Sequence, residues 1–316
     1  MGSVPKFPLL PTHWIDYPSP ATALIHHLGQ AIAQQQIHRP AAPWSVPIYM
    51  TDLGEWRSSL VLERSGLGQG LSWGRQLLSD LGSFSCSQVN STAQGAGGWT
   101  FWLQSPGWLH ARLPPWALAL CLQGLMRTPP QLRPAPAQNR PCLESSHSNR
   151  TEIEAAVLDG LQYAHARCCH LLHLGAETGL IALAFQDGYP LLLDPLAQLP
   201  WLDANQQLWC SHPAEVALLR SLLQFPASLQ RQNRYYLPIS STQIALCSPP
   251  AQYLGQYLGN LVEQFAQFHR LCNIFGEVKH QHPNQATARL GLLLILQPVL
   301  AFVLRSLLAA EAPTEA

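Results

Sequence analysis

Only 11% of the 316 residues are Asp, Glu, Lys or Arg, against about 25% in a typical soluble chain, and the 18 basic and 18 acidic residues cancel. That balance excludes the strongly basic profile of a general nucleic-acid binder, while the length suits two domains, each able to bury a core. Charge is uneven, with ten basic and six acidic residues in 1–150 against eight and twelve in 151–316. Such a distribution permits a local RNA-facing patch without demanding one, and the low charge density suits a permanent partner covering part of the surface.

In chain order, residues 1–20 read as a Pro-rich irregular arm. Apolar spacing predicts a helix over 20–36, with Ala21, Leu24, Ile25, Leu28 and Ile32 on one side. Strands are expected at 57–63 and 99–105, a helix at 70–81, a Ser/Gly-rich loop at 83–98 and a helix from about Pro115 to Met126. These elements define an α+β domain over 21–127. Five prolines between Thr128 and Asn149 mark 128–150 as an extended linker.

Residues 151–316 read as a mostly α-helical domain with a short β insert. Thr151 followed by Glu154 forms a capping box, so a long helix starts near 152. On it Leu161, Ala164, Cys168, Leu171 and Leu172 recur at helical spacing, and Tyr163, Arg167 and His170 lie one turn apart. Asp187-Gly188 predicts a turn between two short strands within 179–199. A helix from Ser211, its expected cap, runs to Leu229 with Pro213 in its first turn. Another over 249–275 carries a stripe from Tyr253 through Tyr257, Leu258, Leu261, Phe265 and Phe268 to Leu271. Between Gly291 and Leu304 only Gln297 is polar; the run is shorter than the ~20 residues of a bilayer span and contains Pro298, so a buried helix is expected and no membrane span.

The eight cysteines include no CxxC pair, and Cys168-Cys169 are adjacent on the long helix, which suits neither zinc nor a disulfide framework. They read as buried thiols in a reducing, cytoplasmic compartment, and no secretory signal is visible. Cys169, His170 and His173 offer metal-ligating residue types close together, but the expectation is ordinary core and surface side chains and no metal or cofactor.

The run Gln162-Tyr163-Ala164-His165-Ala166-Arg167 resembles the QYAHAR run of arginyl-tRNA synthetases. Within 211–229, Glu215, the leucine pairs and Phe225-Pro226 resemble the same family, as do Tyr257-Leu258 and Phe265-Ala266-Gln267-Phe268-His269. Ala288-Arg289-Leu290 resembles the region that names the DALR anticodon-binding domain. In the first half, the stretch from Pro106 to Leu113 resembles the PGFINLRL-like strand of the family's N-terminal additional domain, with Trp108 at the aromatic position and His110 at the usual Asn position. The resemblance implies an N-terminal domain touching the outer corner of tRNA and a helical domain on the anticodon stem-loop. The chain departs from the family at Asn273 after Cys272, at His269 where Tyr is usual, and in the final LLAAEAPTEA.

Amino-acid activation in that family needs a HIGH-like motif and a KMSK-like loop around the ATP phosphates. Neither occurs here, the two lysines are Lys6 and Lys279, and no Walker, GxGxxG or HExxH motif is present. The expectation is therefore a non-catalytic chain with no ATP site, lacking the catalytic domain of its relatives. Binding of tRNA or other structured RNA is the first functional reading. Its candidates are Arg57, Arg64, Arg75 and Arg112 in the first half, and Tyr163, Arg167, Arg234, Tyr235, Tyr236, His269 and Arg270 in the second, because unpaired bases are held by aromatic stacking and arginine. Tyr253 and Tyr257 serve equally as core, and Tyr163, His165 and Arg167 equally as a polar seam inside a helix pair. The alternatives are a structural or assembly subunit working through a protein partner without RNA and, more remotely, a component of an aminoacyl-tRNA synthetase system.

Overall fold

A computed structural model describes residues 13–16, 24, 28, 44–59, 75, 77, 99–104, 107–127, 130–134, 155–186, 189–194, 198–228, 234–237, 243–245 and 251–315. The first half is built on a four-stranded antiparallel sheet, β3 (Tyr49–Asp52), β4 (Glu55–Ser58), β5 (Thr100–Gln104) and β6 (Trp108–Arg112), in the order β3-β4-β6-β5. Helix α1 (Pro115–Arg127) follows. Period-two alternation divides the sheet: Trp56, Ser58, Leu109 and Ala111 are buried, while Arg57 and Arg112 are exposed. The buried set joins Leu118, Leu122 and Leu125 of α1 with Leu24, Leu28 and Leu77, the last three helical and buried as their expected helices require. Gly54 turns β3 into β4 at φ +77°, a left-handed conformation that favours glycine, and its carbonyl accepts from the Leu113 N–H at 2.8 Å. The 83–98 loop and the capping box at Thr151 lie outside the described residues.

The second half is a helical bundle of α2 (Ala155–Glu177), α3 (Pro213–Ser228), α4 (Ala251–Leu271), the short α5 (Glu277–Gln281) and α6 (Pro283–Phe302), which ends in a π-helical turn, Val303–Leu307. Every apolar position picked out on α2 is buried. The insert forms two antiparallel strands, β8 (Leu183–Gln186) and β9 (Tyr189–Leu192), with Gln186 opposite Tyr189; the expected Asp187-Gly188 turn lies outside the described residues. On α4 the stripe holds from Leu258 to Phe268, but Leu271 is half exposed and Cys272 takes the buried place beyond the helix end. The last helix is longer than its apolar run: Pro283–Leu307 continues through Pro298 and is long and apolar enough to span a bilayer, yet 78% of its most apolar window is buried inside the fold.

The start of α3 differs from the expected Ser211 cap. Pro213 is the first helical residue, so His212 occupies the cap, and its Nδ1 accepts from the Ala214 N–H at 3.2 Å. Glu215, two residues into the helix after Pro213, reaches back to the His212 N–H at 2.9 Å, the reciprocal arm of a capping box.

The two halves are fastened together. Strand β10 (Arg234–Leu237) of the second half pairs with β2 (Trp44–Pro47), and β11 (Gln243–Ala245) pairs with β1 (His13–Asp16). Strand β1 also pairs with β7 (Gln131–Pro134), which lies within the stretch read as linker, and places a paired strand within the stretch read as an irregular arm. Buried Gln123 of α1 accepts on Oε1 from the Leu199 N–H and from Trp201 Nε1–H, each at 3.1 Å. Trp201 in turn rests on Gly291 of α6. A Cβ at Gly291 would stand 2.6 Å from Trp201 Cη2 and 2.8 Å from Leu199 Cδ1, below any real contact distance. Since Trp201 is held by Gln123, it cannot give way freely. Gly291→Ala is therefore expected to destabilise by about 1–3 kcal/mol through overpacking, read as a lowered Tm in a thermal melt.

Candidate nucleic-acid interface

Two places gather the candidate side chains. The first is the outward face of the four-stranded sheet. Cross-strand register puts Tyr49, Arg57, His110 and Trp102 in one row, with Glu55, Arg112 and Thr100 in the next. The Arg57 guanidinium lies 4.9 Å from the centroid of Trp108, Arg112 lies 5.5 Å from that of Trp102, and Trp102 stacks on His110 at 5.0 Å. Arg112 also donates from Nε to Glu55 Oε1 at 2.6 Å, so part of its charge is already matched. Burial, then the charge of Arg57, hold His110 below the ordinary histidine range, with Glu55 opposing, which leaves a neutral ring in the row. Flat aromatic faces interleaved with guanidinium groups are suited to stacking unpaired bases.

The second place is a cleft of about 200 Å³ between α2, the end of α4 and the loop that follows, lined by Arg167, Leu171, Phe268, His269, Cys272, Asn273, Ile274 and Phe275. Arg167 donates from Nε to His269 Nε2 at 2.9 Å. Burial, then the Arg167 charge, lower the His269 pKa, so the ring accepts as a neutral imidazole. Among the described residues, no acidic side chain lines the cleft. Tyr163, one turn before Arg167, is 56% exposed, and Arg270 is exposed at the end of α4.

The remaining candidates scatter. Arg75 is an exposed helical residue, and Arg64 lies outside the described residues. Arg234, Tyr235 and Tyr236 sit on β10, their backbones committed to pairing with Pro47, Val46 and Ser45 of β2, an element apart from the helical cleft. Tyr257 is core: its hydroxyl donates to the Ser221 carbonyl at 2.9 Å and its ring leans on Phe225. His165 is fully buried. Its Nδ1–H donates to the Pro313 carbonyl at 2.6 Å, leaving Nε2 to accept from the Gln297 amide at 2.8 Å, while Gln162 holds the Glu311 carbonyl at 3.1 Å. Within the QYAHAR run, then, Gln162 and His165 fasten the C-terminal segment, and Tyr163 and Arg167 face outward.

Of the histidines and cysteines on α2, His173 lies 3.1 Å from Glu177 and edge-on to Phe185, and among the described residues no group of three or more His, Cys, Asp or Glu is placed to hold a metal ion. Cys121, Cys168, Cys169, Cys210 and Cys272 are free thiols, and burial raises the pKa of each. Sequence reasoning passed over Trp102, Trp108 and His110 as site residues, although period-two alternation along 100–112 places all three on one face with Arg112.

Residues 161–315 match the family model of the DALR anticodon binding domain, a span that contains Tyr163, Arg167, His269 and Arg270. Over 140 residues the chain is 30% identical to an arginine–tRNA ligase of Salinibacter ruber, covering 44% of this chain and 18% of that protein. Over 145 residues it is 29% identical to an arginine–tRNA ligase of Gloeobacter violaceus, covering 46% and 20%. The chain thus spans about a fifth of the length of the curated relatives it matches. No solved structure gives a significant match.

Proposed function

We propose that the chain binds tRNA without itself activating an amino acid. The observation that carries this reading is the Arg167–His269 cleft inside the segment that matches an anticodon-binding domain. An unpaired loop base would enter the cleft, take hydrogen bonds from the terminal nitrogens of Arg167 and meet the ring of Phe275, while Arg270 and Tyr163 flank it. The tryptophan and arginine row on the sheet would take the second contact, at the tRNA corner. The reading gives the chain no ATP site, because these 316 residues contain no HIGH-like or KMSK-like motif to stabilise charge around phosphates. Free thiols support a reducing, cytoplasmic setting.

Arg167→Ala tests the cleft. It is expected to weaken tRNA binding about tenfold, the scale of one lost base contact, while the Tm moves little. Unchanged affinity would remove the cleft from the interface. A second reading, a structural or assembly subunit, draws on the β8–β9 hairpin, where Leu191 and, just past β9, Leu193 are 49% and 63% exposed on the face opposite Phe185. A third, service within an aminoacyl-tRNA synthetase system, draws only on the names of the two relatives.

A further inference from the structure

We infer that His269 is the positioning residue of the cleft: its unprotonated Nε2 aims the Arg167 fork, so that the cleft holds RNA only while that ring is neutral. The inference rests on the tRNA reading above and adds to it the residue that prepares the arginine and the proton that governs it. An arginine side chain is long and loses rotamer freedom when a ligand fixes it. Here Arg167 already gives its Nε–H to His269 Nε2 at 2.9 Å. Because the guanidinium is planar and rigid, fixing Nε sets the direction of both terminal nitrogens, the donors left for a base. Setting them in advance removes part of the ordering cost of binding. The acceptor is itself held, since the His269 ring stacks on buried Phe265 at 6.0 Å with 23° between the planes.

A proton on Nε2 reverses this arrangement. The ring would present an N–H to the Arg167 N–H, and two cations would meet where a donor and an acceptor stood. The titratable groups facing the ring are Arg167 from α2 and the Cys272 thiol from the loop after α4, with Arg270 exposed beside it on α4 and no carboxylate lining the cleft among the described residues. Burial raises the Cys272 pKa to about 11, so that thiol stays neutral. The carboxylate that acts on Cys272, Glu215, is committed to Arg289. Since the folded ring titrates below 6.5, loss of the Arg167 contact sets in on acidification below that value. Acidification also charges other histidines, which strengthens general attraction to phosphate. The two effects have opposite signs, and that separates the positioning role from bulk electrostatics.

The full chain, His269→Phe, His269→Gln and Arg167→Ala would be titrated with tRNA at about pH 7.5, well above the ordinary histidine value, and again below the His269 midpoint read from ring 15N shifts. Tm would be recorded at each pH. His269→Phe keeps a ring on Phe265 and removes the acceptor. It should weaken binding about tenfold at the higher pH, close to the loss in Arg167→Ala, and should add no further loss to Arg167→Ala. His269→Gln offers an amide oxygen to the Arg167 Nε–H and should recover most of that loss. Below the midpoint the wild type should fall about tenfold relative to His269→Gln, which has no ring to protonate. A wild type that binds tRNA and is weakened by Arg167→Ala but not by His269→Phe overturns the positioning role and leaves tRNA binding standing. So does a ring proton found on Nε2 at the higher pH, or an affinity ratio to His269→Gln that ignores pH. A wild type that binds no tRNA overturns both proposals.

Discussion

Arg289→Met is expected to lower the unfolding free energy by about 3–5 kcal/mol, the usual cost of removing one partner from a buried ion pair. Arg289 Nε donates to Glu215 Oε1 at 2.5 Å, and Nη1 donates to the Asn273 carbonyl, also at 2.5 Å. Glu215 is fully buried and spends its other oxygen on the His212 N–H at the start of α3. One guanidinium therefore ties α6 to the start of α3 and to the loop that closes the Arg167 cleft. With Met in its place, a carboxylate stays in the core without a counter-charge and the Asn273 carbonyl loses its donor. Adding Glu215→Gln to Arg289→Met removes the stranded charge and keeps an oxygen for the His212 N–H. The double variant should regain about half of the loss in urea unfolding. A single variant within 1 kcal/mol of wild type, the range of exposed pairs, would show that the pair contributes little.

His165→Leu should cost about 2–4 kcal/mol, because the Pro313 carbonyl and the Gln297 amide both lose their partner in a dry environment. Its effect should also be local: faster amide exchange at 311–315, the segment that His165 and Gln162 hold. The same histidine gives the protein a pH signature. Burial lowers its pKa from 6.5 more than the Pro313 bond raises it, and Arg305 lowers it further. His269 and His110 are lowered as well. A group with a depressed folded pKa binds fewer protons folded than unfolded, so its stabilisation is complete above the unfolded value and is lost as pH falls towards the folded one. Tm should be flat above about pH 7.5 and decline below 6.5, less steeply in His165→Leu. A Tm that rises on acidification through this window would contradict the tautomer assigned to the buried ring.

The helical half could be read in the sequence because its information is periodic. The α2 stripe, the α4 stripe and the two short strands of the insert each reside within a few consecutive residues, and each element formed where its spacing placed it. Gln297 was visible as the one polar residue in an apolar run, but its partner stands 132 residues away. Likewise, Glu215 and Arg289 were legible as pattern residues and not as a pair, being 74 apart. Strands β10 and β11 were missed because three or four residues carry too little alternation, and their partners lie near the other end of the chain. The Ser211 cap was misplaced by one residue because histidine, a less common cap, offered Nδ1 in the geometry serine would have used. Of the candidate site, the arginines could be picked out as residue types, but which of them meet aromatic rings depends on strand register.

The most direct test of tRNA binding is a titration of the purified chain against total tRNA and an unrelated hairpin at 50 and 200 mM salt. The account predicts micromolar or tighter binding to tRNA, weaker binding to the hairpin, and a loss of affinity with salt that follows a slope of about 0.7 per phosphate contact. Absence of tRNA binding at the lower salt, or equal and salt-independent binding to both RNAs, would contradict it and turn attention to the exposed leucines of the β8–β9 hairpin as a protein contact.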